Sequence, residues 1–342
     1  MATDRHPEDA APTRALPVRL LGTGACLPAG RVLSTHLDAA HGRAPGTTQA
    51  RSGVVERRWA APEETSSAMA AAALQDALAA AGLAAEELDA LILTAAVPEQ
   101  PMPTTAVLTL ARLGLPGGRI DAFDINATCL GFLTAVQVAA MGIAVGRWRR
   151  VGIAAVDLAS RGLNHADIES SALFGDGAAA AVLGPSAGGS ALLAVRFDTH
   201  PSGARLCELP AGGTRWNPNL PPPDPTDYTF RMDGLGVMKL AARTLPAFLR
   251  ALLDEAGIAL ADIDVVVPHQ ASGLGLRFLK EKLGITPGTV IDLLAEQGNQ
   301  VAASLPSALH ASITSGRLRR GGHALLIGTA AGLTLGGAVL RY

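Results

Sequence analysis

The chain has 342 residues, 49% of them hydrophobic, and a formal net charge of −2. That length implies two packed domains or one large α/β unit rather than one small core. The near-neutral balance gives no electrostatic attraction to nucleic acid or to an anionic membrane, which argues against those two partner classes. The three cysteines, Cys26, Cys129 and Cys207, lie far apart without a CxxC pair. Neither a zinc site nor a disulfide framework is expected, and reduced thiols fit a cytoplasmic setting.

Residues 1–16 are polar, charged and Pro-containing and lack the apolar core of a signal peptide, so a loose tail is expected there. A strand-like segment follows over 18–27, ending before Pro28, and residues 29–62 read as irregular. The Ala-rich stretch 65–82 sets Leu74 and Leu78 on one helical face. Residues 88–97 form a continuous apolar run, the pattern of a buried strand.

A second apolar run, 120–125, leads into Asn126-Ala127-Thr128-Cys129-Leu130-Gly131-Phe132. This reads as strand, tight turn and helix, with Cys129 at or near the first helical turn. Unpaired N–H groups and the helix dipole there favour thiolate, the reactive form of the residue. On this stretch alone, a small buried hydrophobe explains Cys129 equally well. The apolar run beyond it reaches about 18 residues, but it contains Gln137 and lacks flanking anchors, so a buried central helix is expected rather than a membrane span.

The later chain repeats the earlier grammar. Ala81-Gly82-Leu83-Ala84-Ala85-Glu86-Glu87-Leu88-Asp89 matches Ala256-Gly257-Ile258-Ala259-Leu260-Ala261-Asp262-Ile263-Asp264 without gaps. Gly146-Arg147-Trp148-Arg149-Arg150 matches Gly316-Arg317-Leu318-Arg319-Arg320 at a closely similar offset, which carries Cys129 onto Asn299. Two similar α/β halves follow, 17–185 and 190–342. Within the second, residues 208–229 are rich in Pro, Gly and Asn, with Pro221-Pro222-Pro223 among them, and read as a loop that either covers a site or merely runs over the surface.

Two further polar stretches end predicted strands or open predicted helices. Pro268-His269-Gln270 follows Val265-Val266-Val267, and Gly298-Asn299-Gln300 precedes a helix-like run. In open α/β sheets such strand ends are where ligands bind. Alone, His269 is as readily a satisfied core histidine, and Asn299 a helix cap. Together, a thiol nucleophile, an imidazole and an amide donor suit acyl transfer through a thioester. The same set also suits a Cys-His-Asn hydrolase.

With these residues in view, the chain resembles the thiolase superfamily, and within it the β-ketoacyl-ACP synthase III group. The residues carrying the resemblance are Asn126 to Phe132, Leu173-Phe174-Gly175-Asp176-Gly177-Ala178, Pro268-His269-Gln270-Ala271, Gly298-Asn299 with Ala302-Ala303-Ser304-Leu305-Pro306, and Gly332-Leu333-Thr334. It spans nearly the whole chain after the tail. It implies a five-layered α-β-α-β-α fold with internal duplication, a homodimer, and no cofactor or metal, and it disfavours the hydrolase.

The resemblance also implies roles. Cys129 takes the acyl group from a thioester. His269 and Asn299 hold the carbonyl oxygen of a malonyl thioester and then its enolate. The backbone N–H groups of Cys129 and Ala331 form the oxyanion hole. Met102 shapes the partner subunit's acyl pocket, and Lys239 matches a basic residue at the entrance for an acyl carrier protein, where Arg277, Lys280 and Lys282 stand in for an Arg that this chain lacks.

The chain departs from the group's pattern in three places. Thr47 and Ile168 stand where a Trp and an Arg clamp coenzyme A. Ala271-Ser272-Gly273-Leu274 replaces Ala-Asn and a nearby Arg. Ala330-Ala331-Gly332 replaces three glycines. These departures point to a specialised relative. The expected reaction is acyl transfer to Cys129 and decarboxylative condensation with a malonyl thioester. Transfer of the acyl group to a hydroxyl or amine is the alternative, and a non-catalytic partner subunit a third reading. Glu99 lies near the place where a related branch supplies a partner glutamate, but Met102 aligns better there.

Overall fold

The computed structural model describes residues 15–342. Two sheets share one strand order. The first runs Val18–Cys26, Gly177–Pro185, Val151–Asp157, Ala90–Thr94, Asp121–Ile125. The second runs Ala191–Thr199, Thr334–Arg341, His323–Ala330, Val265–Pro268, and its fifth lane shrinks to a parallel bridge between Val266 and Val290.

Three apolar layers separate the elements, and each is dictated by which face of a helix is apolar. Phe132, Leu133 and Ala139 on helix Gly131–Ala144 meet Leu305 and Leu309 on helix Ser304–Thr314 between the two sheets. Leu74, Ala77 and Leu78 of helix Ser66–Ala81 cover the first sheet from outside. Phe248, Leu249 and Leu252 of helix Gly234–Ala256 cover the second. The result is the α-β-α-β-α layering of the thiolase-like fold. Among the described residues no helix is long and apolar enough to cross a membrane.

The outer helix Ser66–Ala81 starts where the Thr65 side chain accepts the Ala68 N–H at 3.3 Å, and ends at Gly82 with φ 66°. Its alanines let it press onto strand Val18–Cys26, where Gly22 and Gly24 stand. A Cβ on Gly24 would lie 2.3 Å from the Ala73 carbonyl oxygen. Gly24→Ala is therefore expected to cost about 1–3 kcal/mol through overpacking. A denaturant melt should show the lower midpoint with an unchanged slope.

Several sequence expectations change here. Of the expected tail, residues 1–14 lie outside the described residues, but Leu16 is bridged antiparallel to Leu192, with bonds of 2.9 and 3.0 Å, and packs on the core. The segment read as irregular contains strand Gly30–Leu33 paired with Glu56–Trp59, and helices Ser34–Ala40 and Thr47–Ser52. The strands are too short for periodicity to reveal, and an Arg31–Glu56 ion pair fastens them.

The register of the duplication also shifts at the site. The counterpart of Asn299 is Asn126, and that of Cys129 is Ala302. Asn126 Oδ1 accepts the Thr128 N–H at 2.9 Å, and Asn299 Oδ1 accepts the Val301 N–H at 2.8 Å. Thr128 and Val301 both have positive φ, 47° and 52°. A one-turn helix follows each, then a long one. The first long helix has 14 residues and the second 11, so a match anchored at their C-terminal ends is three residues out at their starts.

Candidate active site

Cys129 lies on the one-turn helix Thr128–Leu130, just ahead of Gly131–Ala144. Positive φ is strained for a β-branched residue such as Thr128, and the Asn126 bond holds it. The expectation of a thiolate is overturned. Burial, then the Asp157 carboxylate, then Cys207 push the Cys129 pKa up to about 12, while N–H groups of Ala331 and of Cys129 itself pull the other way. Two N–H donors do not offset the loss of solvent, so the resting group is a thiol. The same N–H pair is the oxyanion-hole pair named from sequence.

Ala331 belongs to the turn between strands His323–Ala330 and Thr334–Arg341, where Gly332 has φ 82° and Leu333 φ 45°. The His200 N–H donates to the Leu333 carbonyl at 2.8 Å, tying this turn to the segment that leads to Cys207. Cys207 itself lies on a two-residue strand paired with Met232. Its presence near Cys129 was not legible in sequence, since 78 positions separate the two.

His269 follows strand Val265–Pro268 and is 5% exposed. Its N–H donates to the Ile327 carbonyl at 2.8 Å. Gln270 braces the turn: Nε2 donates to Pro268 and Ile291 carbonyls, and Oε1 accepts the Leu293 N–H. Burial lowers the His269 pKa to about 4, so the ring is neutral, and its buried Nδ1 has no partner among the described residues. Gly328 lets the neighbouring strand close in, for a Cβ there would lie 2.6 Å from His269 Cβ and 3.4 Å from Leu130 Cδ2. Leu130 is the residue after the thiol, so Gly328 brings the His269 turn and the Cys129 turn against one backbone.

Asn299 is also 5% exposed. Its backbone is bridged to Phe174, and Gly298, with φ 67°, leaves space for the Leu173 carbonyl. Its Oδ1 is committed to Val301, and its Nδ2 makes a long 3.4 Å bond to the Ala271 carbonyl. The turn holding Asn299 packs on the turn holding Cys129, and the latter on strand His323–Ala330. A thiol, a neutral imidazole, an amide N–H₂ and two converging backbone N–H groups thus line one site. That set can accept an acyl group and hold an enolate oxygen.

The residues around it differ in state. Phe174-Gly175-Asp176-Gly177 is packing: a Cβ on Gly175 would lie 2.1 Å from the Gln297 carbonyl oxygen. Ser272 caps helix Gly273–Lys282 by accepting the Gly275 N–H at 3.1 Å. Lys239 and Arg277 are exposed, while Lys280 is paired with Asp292 at 2.8 Å. Met102 is 83% exposed. Glu99 accepts the Ser67 N–H at 2.6 Å and so serves the start of a helix in its own chain. Thr47 and Ile168 open two short helices that touch each other. The 208–229 loop is fastened at its base, where Arg231 pairs with Glu208 and Asp227.

Sequence reasoning missed Asp157 and gave Asn126 no role. Asp157 ends the apolar strand Val151–Asp157, and a carboxylate closing such a run was the available signal.

Comparison with known proteins points to one family. Profiles of 3-oxoacyl-(acyl-carrier-protein) synthase III match residues 123–201 and, for its C-terminal part, residues 253–342. A β-ketoacyl-(acyl-carrier-protein) synthase III from Symbiobacterium thermophilum is 36% identical over 95% of this chain and 98% of its own. An acetoacetyl CoA synthase from a Streptomyces species is 35% identical over 95% and 98%. The crystal structure of a priming β-ketosynthase from a polyketide biosynthetic pathway superposes with a TM-score of 0.87 at 30% identity, covering 98% of each chain.

Proposed function

The chain belongs to the 3-oxoacyl-(acyl-carrier-protein) synthase III family, and from that membership we propose that Cys129, His269 and Asn299 carry the family's acyl transfer and decarboxylative condensation. The observation that carries this reading is the packing of the Cys129 turn against the Asn299 turn and strand His323–Ala330, with the His269 turn closed onto it at Gly328.

In the first half-reaction Cys129 attacks an acyl thioester, and its proton leaves with the displaced thiol. The acyl-enzyme is neutral, so the burial that opposes a thiolate does not oppose the thioester. The two backbone N–H groups stabilise the tetrahedral oxyanion. In the second, the thioester carbonyl of a malonyl group lies against His269 and Asn299 Nδ2. Loss of CO₂ leaves an enolate held by these two neutral donors. Its carbon attacks the acyl carbonyl, the bond to sulfur breaks, and the Cys129 thiolate takes up a proton. The product is a β-ketoacyl thioester.

Transfer to a hydroxyl or amine is less well supported, because it would leave the oriented Asn299 amide without a use. We propose a homodimer, with the 83% exposed Met102 and the exposed Val97 covered by a second copy. We propose acyl carrier protein as a donor or acceptor at a surface that includes Lys239 and Arg277. Thr47 and Ile168 offer no stacking plane, which favours carrier protein over free coenzyme A for the acyl donor. The relative named for acetoacetyl CoA makes the coenzyme arm worth testing directly.

The test is release of labelled CO₂ from malonyl-coenzyme A and malonyl-carrier protein, with acyl donors supplied on either carrier. CO₂ release coupled to β-ketoacyl product is expected. Acyl loading without malonyl-dependent CO₂ release on any carrier would instead support the hydroxyl or amine acceptor.

A further inference from the structure

Asp157 is buried, 3% exposed, and no step above uses it. Its carboxylate accepts three backbone N–H groups at 3.0–3.2 Å. Ala96 and Val97 come from the loop after strand Ala90–Thr94, and Ala302 from the one-turn helix beyond Asn299. Each connection continues to a site residue. The Ala96 carbonyl accepts from Asn126 Nδ2 at 3.0 Å, and Asn126 Oδ1 accepts the N–H of Thr128, the residue before Cys129. On the other side Ala302 follows Val301, whose N–H is held by Asn299 Oδ1. One carboxylate in the seam between the two halves therefore fastens both strained turns, Thr128 at φ 47° and Val301 at φ 52°.

We propose that Asp157 is a positioning residue for the condensation step, setting the distance between the acyl-bearing Cys129 turn and the enolate-holding Asn299 turn. This rests on the roles given above to Cys129 and Asn299. Every polar partner of the carboxylate is an N–H donor, so an ionised, acceptor-only group fits both oxygens. An amide of the same shape would turn its own N–H₂ against one set of donors. The charge has a second effect, since it reaches the Cys129 sulfur and opposes thiolate there. Asp176 is the other ionisable group acting on Asp157; burial raises the pKa of both carboxyls, that of Asp157 up to about 7, so its ionised form prevails above neutral pH, where the thiol is titrated. Condensation needs both turns in register, whereas acyl loading needs only the first. The two half-reactions should thus respond differently.

The experiment compares Asp157→Asn and Asp157→Glu with the wild-type chain. Acyl loading is read by intact mass, condensation by product formation, and the pH profile of Cys129 alkylation by iodoacetamide, with Cys26 and Cys207 as internal controls for opening of the fold. Loading is expected to persist in both variants. Condensation kcat is expected to fall on the order of 10²-fold, the scale of a small displacement in a reacting geometry, with less change in KM for the malonyl thioester. The alkylation profile should move to lower pH in Asp157→Asn and hold in Asp157→Glu, because only the first removes the negative charge. Wild-type condensation in both variants overturns the proposal, and so does an alkylation profile of Asp157→Asn that coincides with wild type. Equal loss of loading and condensation in folded variants also overturns it. A wild-type chain that loads no acyl group refutes the role of Cys129 instead, a separate outcome.

Discussion

Cys129→Ala is expected to abolish acyl loading and condensation while malonyl decarboxylation survives. Condensation should fall to background, a loss on the order of 10⁶-fold if this nucleophile behaves as others do. In the proposed mechanism decarboxylation depends on His269 and Asn299, which the substitution leaves in place. The variant should then convert a malonyl thioester to an acetyl thioester without forming a carbon–carbon bond. Paired assays of CO₂ and β-ketoacyl product check this. Loss of both activities in a folded variant would mean that the thiol takes part in decarboxylation as well.

His269→Ala is expected to do the reverse. Acyl loading persists, because the proposed oxyanion donors there are the N–H groups of Cys129 and Ala331. Decarboxylation and condensation fall by about 10²–10³, the cost of deleting one preorganised donor to a developing oxyanion. The pH dependence carries a further sign. Burial lowers the His269 pKa to about 4, so the neutral ring persists as pH falls well below the ordinary histidine value. The decarboxylation rate should therefore show no break near 6.5 that His269→Ala removes, although Asp157, pushed up to about 7 by burial, titrates in the same range. A break near 6.5 that vanishes in His269→Ala would show that the ring is more solvated than its place behind Gly328 implies.

Much of the site was legible in the sequence because its residues follow apolar strands or precede long helices. Cys129, His269 and Asn299 each stand at such a transition, and the fold brings the three transitions together. Less was legible where the determinant is three-dimensional. Local position argued for a thiolate at Cys129, but burial and the Asp157 charge outweigh two N–H groups. The duplication was visible in two matched segments, yet its register at the site was three residues out, since the central helices differ in length. Asp157 was overlooked for a related reason. Its partners Ala96, Val97 and Ala302 are backbone groups, and nothing in their side chains marks them as a binding set. The strand pair Gly30–Leu33 with Glu56–Trp59 was hidden by its shortness.

The most direct measurement is a chase of the acyl-enzyme. The protein is loaded from acyl-coenzyme A or acyl-carrier protein, freed of donor, and its intact mass followed after a malonyl thioester is added. The expected result is an adduct on Cys129 that disappears on malonyl addition, with one CO₂ and one β-ketoacyl thioester formed per adduct lost. An adduct that stays in place on malonyl addition and leaves only with a hydroxyl or amine acceptor would contradict the account.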